Sequence, residues 1–167
     1  MRLNLRDIIH VPGASLPFEF QMDLSDVEFY GERPITRPLY VSGLVRNMAG
    51  ALVLTGEVAT KLDLTCDRCM RPFCREKKVE LNYLLATELA GEDEEDEIVL
   101  LHGEEVDVDD LAYTAFILDM DTKNLCSEDC KGICPGCGAN LNEEACRCKP
   151  EVDPRLAALA QLLDKTE

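Results

Sequence analysis

Nine cysteines stand in a chain of 167 residues, and eight of them fall into four close pairs. Six lie within CSEDCKGICPGCGANLNEEACRC, as Cys126-x3-Cys130, Cys134-x2-Cys137 and Cys146-x-Cys148. The other pair is Cys66-x2-Cys69 in TCDRCMRPF. Thiolates this close can hold a soft cation, pair as disulfides, or exchange electrons as dithiols. The stretch CPGCG, Cys134 to Gly138, favours the cation. Such a turn aims two sulfurs at one point and lets backbone N–H groups hydrogen-bond them. Gly138 can take the positive φ needed on leaving it. This is half of a tetrahedral zinc site. Cys126 and Cys130 upstream, or Cys146 and Cys148 downstream, can complete it. Eight sulfurs suffice for two four-thiolate zinc sites. One closed site plus a separate thiol pair is the rival arrangement. Cys74 is left over, in a strand-like segment, as an ordinary small residue.

The rest of the sequence bears on that choice. MRLNLRDIIHVPGASLPFEF carries no apolar run and no cleavage site of a secretory leader, and no stretch approaches 18 apolar residues. A cytoplasmic protein with no membrane contact is expected, and reducing compartments rarely keep structural disulfides. A catalytic zinc keeps an open position and usually takes His or carboxylate ligands. The only histidines, His10 and His102, lie outside the cysteine pairs. There is no phosphate-cradling glycine loop, no HExxH and no GxSxG. A closed structural site, no enzyme activity and no small-molecule substrate are therefore expected. A redox pair at Cys66 and Cys69 would open a helix after a strand. Here Pro72 and a further strand follow instead.

Charge narrows the partners. Seventeen basic residues face 33 acidic ones, a net of −16, which argues against a nonspecific polyanion binder and leaves room only for a local nucleic-acid contact or one made through a basic protein partner. One segment runs the other way. Cys66 to Lys78 has Arg68, Arg71, Arg75, Lys77 and Lys78 against Asp67 and Glu76. With Arg68 and Arg71 projecting from a hairpin tip, it is either a contact surface for RNA phosphate or an acidic protein, or a solvated strand end.

The elements that must position these residues are mostly strands. Short ones are expected near Met1–Asp7 and Leu16–Leu24. Leu39, Val41 and Val45 alternate with polar neighbours, and NMAG at 47–50 supplies turn residues. Leu52, Leu54, Val58, Leu62 and Leu64 then occupy even positions. Period two over that length means a long antiparallel hairpin with one buried face. Gly56 interrupts the apolar row and is expected to mark a bulge. Val79, Leu81, Tyr83 and Leu85 give a third strand, and GEDEEDE at 91–97 a solvated loop. Ile98–Leu101 is a short strand. Val108–Met120 is a helix with Asp109 and Asp110 in its first turn and a stripe of Leu111, Ala112, Ala115, Phe116 and Leu118. Asp153-Pro154 opens a short amphipathic helix carrying Leu156, Leu159 and Leu163. The fold class is α+β: an antiparallel sheet or partly closed barrel with a few short helices and a Cys-rich, zinc-bound C-terminal segment. The division expected is a β-rich domain over 1–120 and a Cys-rich segment with its helix over 121–167.

TCDRCMRPF, a following strand, an acidic loop, a helix, and then LCSEDCKGICPGCGANLNEEACRC and DPRLAALAQLL together resemble the YceD-like family of bacterial and plastid proteins. The resemblance covers most of the chain, and Cys66, Arg68 and Cys69 match the family's shared Cys-x-Arg-Cys corner. It implies a role in the accumulation of 23S ribosomal RNA and in assembly of the large ribosomal subunit, and no enzyme mechanism. The implied partner is that RNA or a pre-ribosomal particle, reached directly or through a ribosomal protein. Many relatives keep the corner and lack the C-terminal cysteines, which implies that the two constellations are not obligate partners in one metal site. Two other readings remain: a zinc-containing protein-binding module that escorts a ribosomal protein without touching RNA, and a thiol redox sensor using Cys66 and Cys69.

Overall fold

The computed structural model describes residues 1–87 and 98–148. The acidic stretch 91–97 and the expected C-terminal helix fall outside them. The described residues form two compact units. One is Met1–Thr65 with Pro72–Asn124, and the other is Cys66–Arg71 with residues 125–148.

The first unit is built on β2 (Ser15–Met22), β3 (Leu39–Met48), β4 (Ala51–Thr65), β5 (Pro72–Ala86) and β6 (Ile98–Leu100), paired in that order in one sheet. The period-two reading of β3 and β4 holds. Leu39, Val41, Val45, Leu52, Leu54, Val58, Leu62 and Leu64 are all buried on one face. The turn between these strands, Ala49–Gly50, has positive φ at both residues, the twist that a two-residue hairpin requires. Asn47 is not a turn residue but a buried strand residue. Its amide donates to the Ile8 and Ile9 carbonyls at 2.8 and 2.9 Å and accepts the Gly50 N–H at 2.8 Å.

Three expectations about the sheet change. It is open rather than barrel-like, with β2 and β6 as its edges. It is mixed, because β6 runs parallel to β5, Leu84 opposite Ile98. Gly56 makes no bulge, since the β3–β4 register runs unbroken from Tyr40↔Ala59 to Met48↔Ala51. Gly56 lies opposite Gly43, and a Cβ on Gly43 would come within 2.6 Å of the Phe18 ring. The pair leaves room for that ring.

Strand β5 also begins seven residues before the expected Val79. Its first half keeps the alternation without an apolar pattern, because Arg75 and Lys77 occupy the half-buried positions in step with Val79 and Leu81.

Helix α1 (Arg6–Ile9) follows β1 (Arg2–Asn4), which pairs with β7 (Glu105–Asp107) in a small second sheet. Helix α2 (Val108–Leu118) buries Val108, Ala112 and Phe116 in the core, with Leu111 and Ala115 beside them. Leu118, expected on that stripe, is 80% exposed at the helix end. Among the described residues, no helix is long and apolar enough to cross a membrane.

Candidate metal centres

Strands β4 and β5 are joined by Cys66–Arg71, and the segment sequence TCDRCM folds there as a tight turn. Met70 donates its N–H to the Cys66 carbonyl at 2.8 Å, and Cys66 donates to the Arg71 carbonyl at 3.0 Å. The CPGCG turn repeats this bond for bond. Gly138 donates to the Cys134 carbonyl at 2.9 Å, and Cys134 to the Ala139 carbonyl at 2.8 Å. Both chains leave the turn through positive φ, 58° at Met70 and 72° at Gly138. Each turn therefore presents two sulfurs on one side.

Each pair is completed by a different partner pair. The sulfurs of Cys66, Cys69, Cys126 and Cys130 lie within 4.8 Å of one another, and so do those of Cys134, Cys137, Cys146 and Cys148. Two groups that can hold a metal ion result. In this chain the Cys-x-Arg-Cys corner and two of the C-terminal cysteines lie in one group, a partnership that the family resemblance does not require. Cys66 and Cys69 take half of their group from Cys126 and Cys130, and no separate thiol pair is left. Chain spacing could not reveal this, because the two halves are joined through tertiary structure rather than sequence.

The geometry can be tested against zinc. Four sulfurs about 2.3 Å from a tetrahedral ion stand about 3.8 Å apart. The sulfurs of Cys66 and Cys130 are 3.8 Å apart and those of Cys69 and Cys126 3.7 Å. In the second group the Cys134 sulfur lies 3.3 Å from that of Cys146 and 3.6 Å from that of Cys148. The two distances in the first group match tetrahedral spacing, and the two in the second are slightly shorter.

The electrostatics of both groups call for a cation. Burial pushes the Cys66 thiol up, but N–H groups of Cys126, Cys69 and Arg68 outweigh it and bring it down to about 6. The N–H groups of Cys137 and Gly136 bring Cys134 down to about 6. The last thiols to ionise meet the opposite field. The Arg71 N–H lowers Cys69, yet burial and the sulfurs of Cys66, Cys126 and Cys130 push it up to about 12. The sulfurs of Cys134, Cys137 and Cys146 push Cys148 up to about 12. Some thiolates thus form readily and then oppose the ionisation of the rest, and a divalent cation among them would remove that opposition.

Burial separates the groups. Cys66, Cys69 and Cys130 are buried and Cys126 is half-buried, whereas Cys137, Cys146 and Cys148 are all exposed. Cys74 is exposed too, belongs to neither group, and donates its thiol to Asp63 at 2.9 Å.

Two side chains take supporting roles that the sequence did not assign to them. Asn142 donates to the Cys130 sulfur at 3.3 Å and accepts the Lys131 N–H at 2.8 Å. Its only signal was an Asn inside a cysteine-rich loop. Arg68 does not simply project. Its guanidinium donates to the Cys130 carbonyl at 2.8 Å and to that of Glu128 at 3.4 Å, and its own carbonyl accepts the Ile133 N–H at 3.0 Å. The family-type arginine therefore ties the Cys66–Cys69 turn to the loop bearing its partner cysteine.

The remaining cations are divided between the units. Arg75 pairs with Asp121 at 3.0 Å and lies 5.4 Å over the Phe73 ring. Lys77 is only 12% exposed and pairs with Asp119 at 2.6 Å. Lys78 is exposed and reaches Glu57 at 4.0 Å. Arg71 is exposed and makes no ion pair among the described residues.

Comparison with known proteins agrees with the motif. The family described as large ribosomal RNA subunit accumulation protein YceD matches residues 54–163. An uncharacterized protein of Mycobacterium tuberculosis strain H37Rv is 31% identical over 122 residues, covering 71% of this chain and 59% of its own length. A Mycobacterium bovis protein matches to the same extent. The large ribosomal RNA subunit accumulation protein YCED homolog 1, chloroplastic, of Zea mays is 27% identical over 180 residues, covering 89% of this chain and 61% of its own. The chain thus spans about three fifths of the length of the curated relatives it matches. No solved structure matches. On the family match and the mycobacterial identity together, the chain belongs to the YceD family.

Proposed function

We propose that this protein is a non-catalytic factor for large ribosomal subunit biogenesis, acting in the cytoplasm to support accumulation of 23S ribosomal RNA. Family membership over residues 54–163 is the observation that carries this reading. Both four-sulfur groups hold structural zinc. A tetrahedral ion with four thiolates has no open position for water or substrate, so the metal's chemistry here is cross-linking of the chain. Cys66 and Cys69 act as ligands rather than as a redox pair, because each already has sulfur neighbours from Cys126 and Cys130.

The partner is the large-subunit RNA or a pre-ribosomal particle, met directly or through a ribosomal protein. Of the five cations in the basic segment, Arg71, with no ion pair among the described residues, and Lys78, with only a long exposed one to Glu57, are the ones open to it. Arg75 and Lys77 are held by Asp121 and Asp119, and Arg68 by backbone carbonyls.

The test is deletion of the gene with complementation by the intact chain. A fall in 23S relative to 16S RNA and in 50S particles, restored by the intact gene, is expected. An unchanged ratio on deletion refutes the role.

A further inference from the structure

On the solvent face of the first unit, Tyr40, Ala59 and Lys78 form one cross-strand row over β3, β4 and β5. Tyr40 is 55% exposed. Ala59 beside it has too small a side chain to cover the sheet. A shallow groove of about 300 Å³ results, its walls almost wholly apolar. Arg37, Lys61, Lys77 and Lys78 stand around it, against Glu76 as the one acid among the described residues of its lining. In a chain of net charge −16 this is an unusual concentration of cations.

We propose that this groove binds single-stranded RNA, with one base stacked on Tyr40 over Ala59 and the neighbouring phosphates held by Arg37, Lys61 and Lys78. The proposal rests on the ribosomal reading above and names the site through which RNA would be met.

Each part of the groove suits that ligand. A base has a flat apolar face whatever its identity, and an exposed aromatic ring on a rigid sheet is the surface on which it stacks. The open, shallow shape suits a strand lying across the sheet better than an enclosed small molecule. Among the described residues, the three outer cations pair with exposed carboxylates, Arg37 with Asp63 at 3.8 Å, Lys61 with Glu76 at 3.1 Å and Lys78 with Glu57 at 4.0 Å. Such exposed pairs contribute little, so phosphate oxygens can take over the cations at small cost. Lys77 differs, since its ammonium is nearly buried against Asp119, and it supports the wall instead. An acidic peptide would use the cations but not the ring and the apolar floor.

Binding of a labelled single-stranded RNA of about ten nucleotides to the full chain is measured by fluorescence anisotropy over a range of salt. Tyr40→Ala is expected to weaken binding roughly tenfold, and Tyr40→Phe, which keeps the ring, less than about twofold. Contacts with three phosphates predict a slope of log affinity on log salt of roughly −2, flattened in Lys61→Gln and Lys78→Gln. Circular dichroism and metal content, unchanged in the variants, show that they fold. Equal RNA affinity in Tyr40→Ala and the intact chain overturns the proposal, as does tighter binding of a polyglutamate peptide at the same residues. The two readings fail separately. If Tyr40→Ala loses RNA binding but deletion leaves 23S RNA unchanged, the groove stands and the ribosomal role falls. If Tyr40→Ala binds RNA normally and restores 23S RNA in full, the role stands and the groove falls.

Discussion

The turns at Cys66–Met70 and Cys134–Gly138 make the same two hydrogen bonds and leave by the same left-handed residue, yet they serve different kinds of site. The first draws its second pair from Cys126 and Cys130, nearly sixty residues away, and its sulfurs are mostly buried. The second is completed by Cys146 and Cys148 a dozen residues on, and three of its four sulfurs are exposed. A cross-link between distant segments removes more freedom from the unfolded chain than a local one. A buried metal is also harder for a competing ligand to reach. One turn geometry thus supports a deep, long-range site and a shallow, local one.

The largest expected effect comes from breaking the long-range site. Cys66→Ser should halve the zinc bound per chain and lower stability by on the order of 5 kcal/mol in denaturant unfolding. Cys148→Ser should also halve the zinc, at less than half that loss in stability. Equal losses would mean that the sites do not differ in the way their chain separation implies.

Next comes the brace. Arg68→Ala removes the guanidinium from the Cys130 and Glu128 carbonyls and should cost about 1–3 kcal/mol, with weaker retention of the first metal alone. A variant with full stability and metal content but defective ribosome assembly would show that Arg68 acts as a contact residue instead.

Exposure should govern kinetics. Under a chelator, about half the zinc is expected to leave in a fast phase, and that phase should vanish in Cys148→Ser. Acid should act in the same order, because protons compete with metal for thiolate and affinity falls as pH falls.

The smallest effects test the turns themselves. Met70 holds a conformation that disfavours a side chain, so Met70→Gly should stabilise the first turn by up to about 1 kcal/mol, and Gly138→Ala should weaken the second by about as much. Gly136→Ala is a separate case, because its Cβ would come within 2.6 Å of the Cys148 sulfur and push that ligand aside. It should lower affinity for the second metal by more than Gly138→Ala does.

Met70 also shows where sequence reading stops. CPGCG announces its turn because Gly138 is the residue the backbone wants, whereas CDRCM makes the same turn with a methionine and conceals it. The pairing of four cysteine pairs was open for a related reason. Ligands close in sequence can be matched by spacing, but Cys66 and Cys69 are brought to Cys126 and Cys130 through tertiary structure, across nearly sixty residues of chain. The buried faces of β3 and β4 were legible because period two persists through Leu39 to Leu64. The first half of β5 was not, since Arg75 and Lys77 fill its half-buried positions and find their carboxylates at Asp121 and Asp119. The parallel setting of β6 was hidden because three residues carry no sign of strand direction.

The most direct test of the account is elemental analysis of the purified chain, repeated for Cys66→Ser and Cys148→Ser. Two zinc ions per chain are predicted, with one remaining in each variant and none in the double variant. A chain that folds with no bound metal, or one that loses both ions through either single change, would contradict two independent four-thiolate sites.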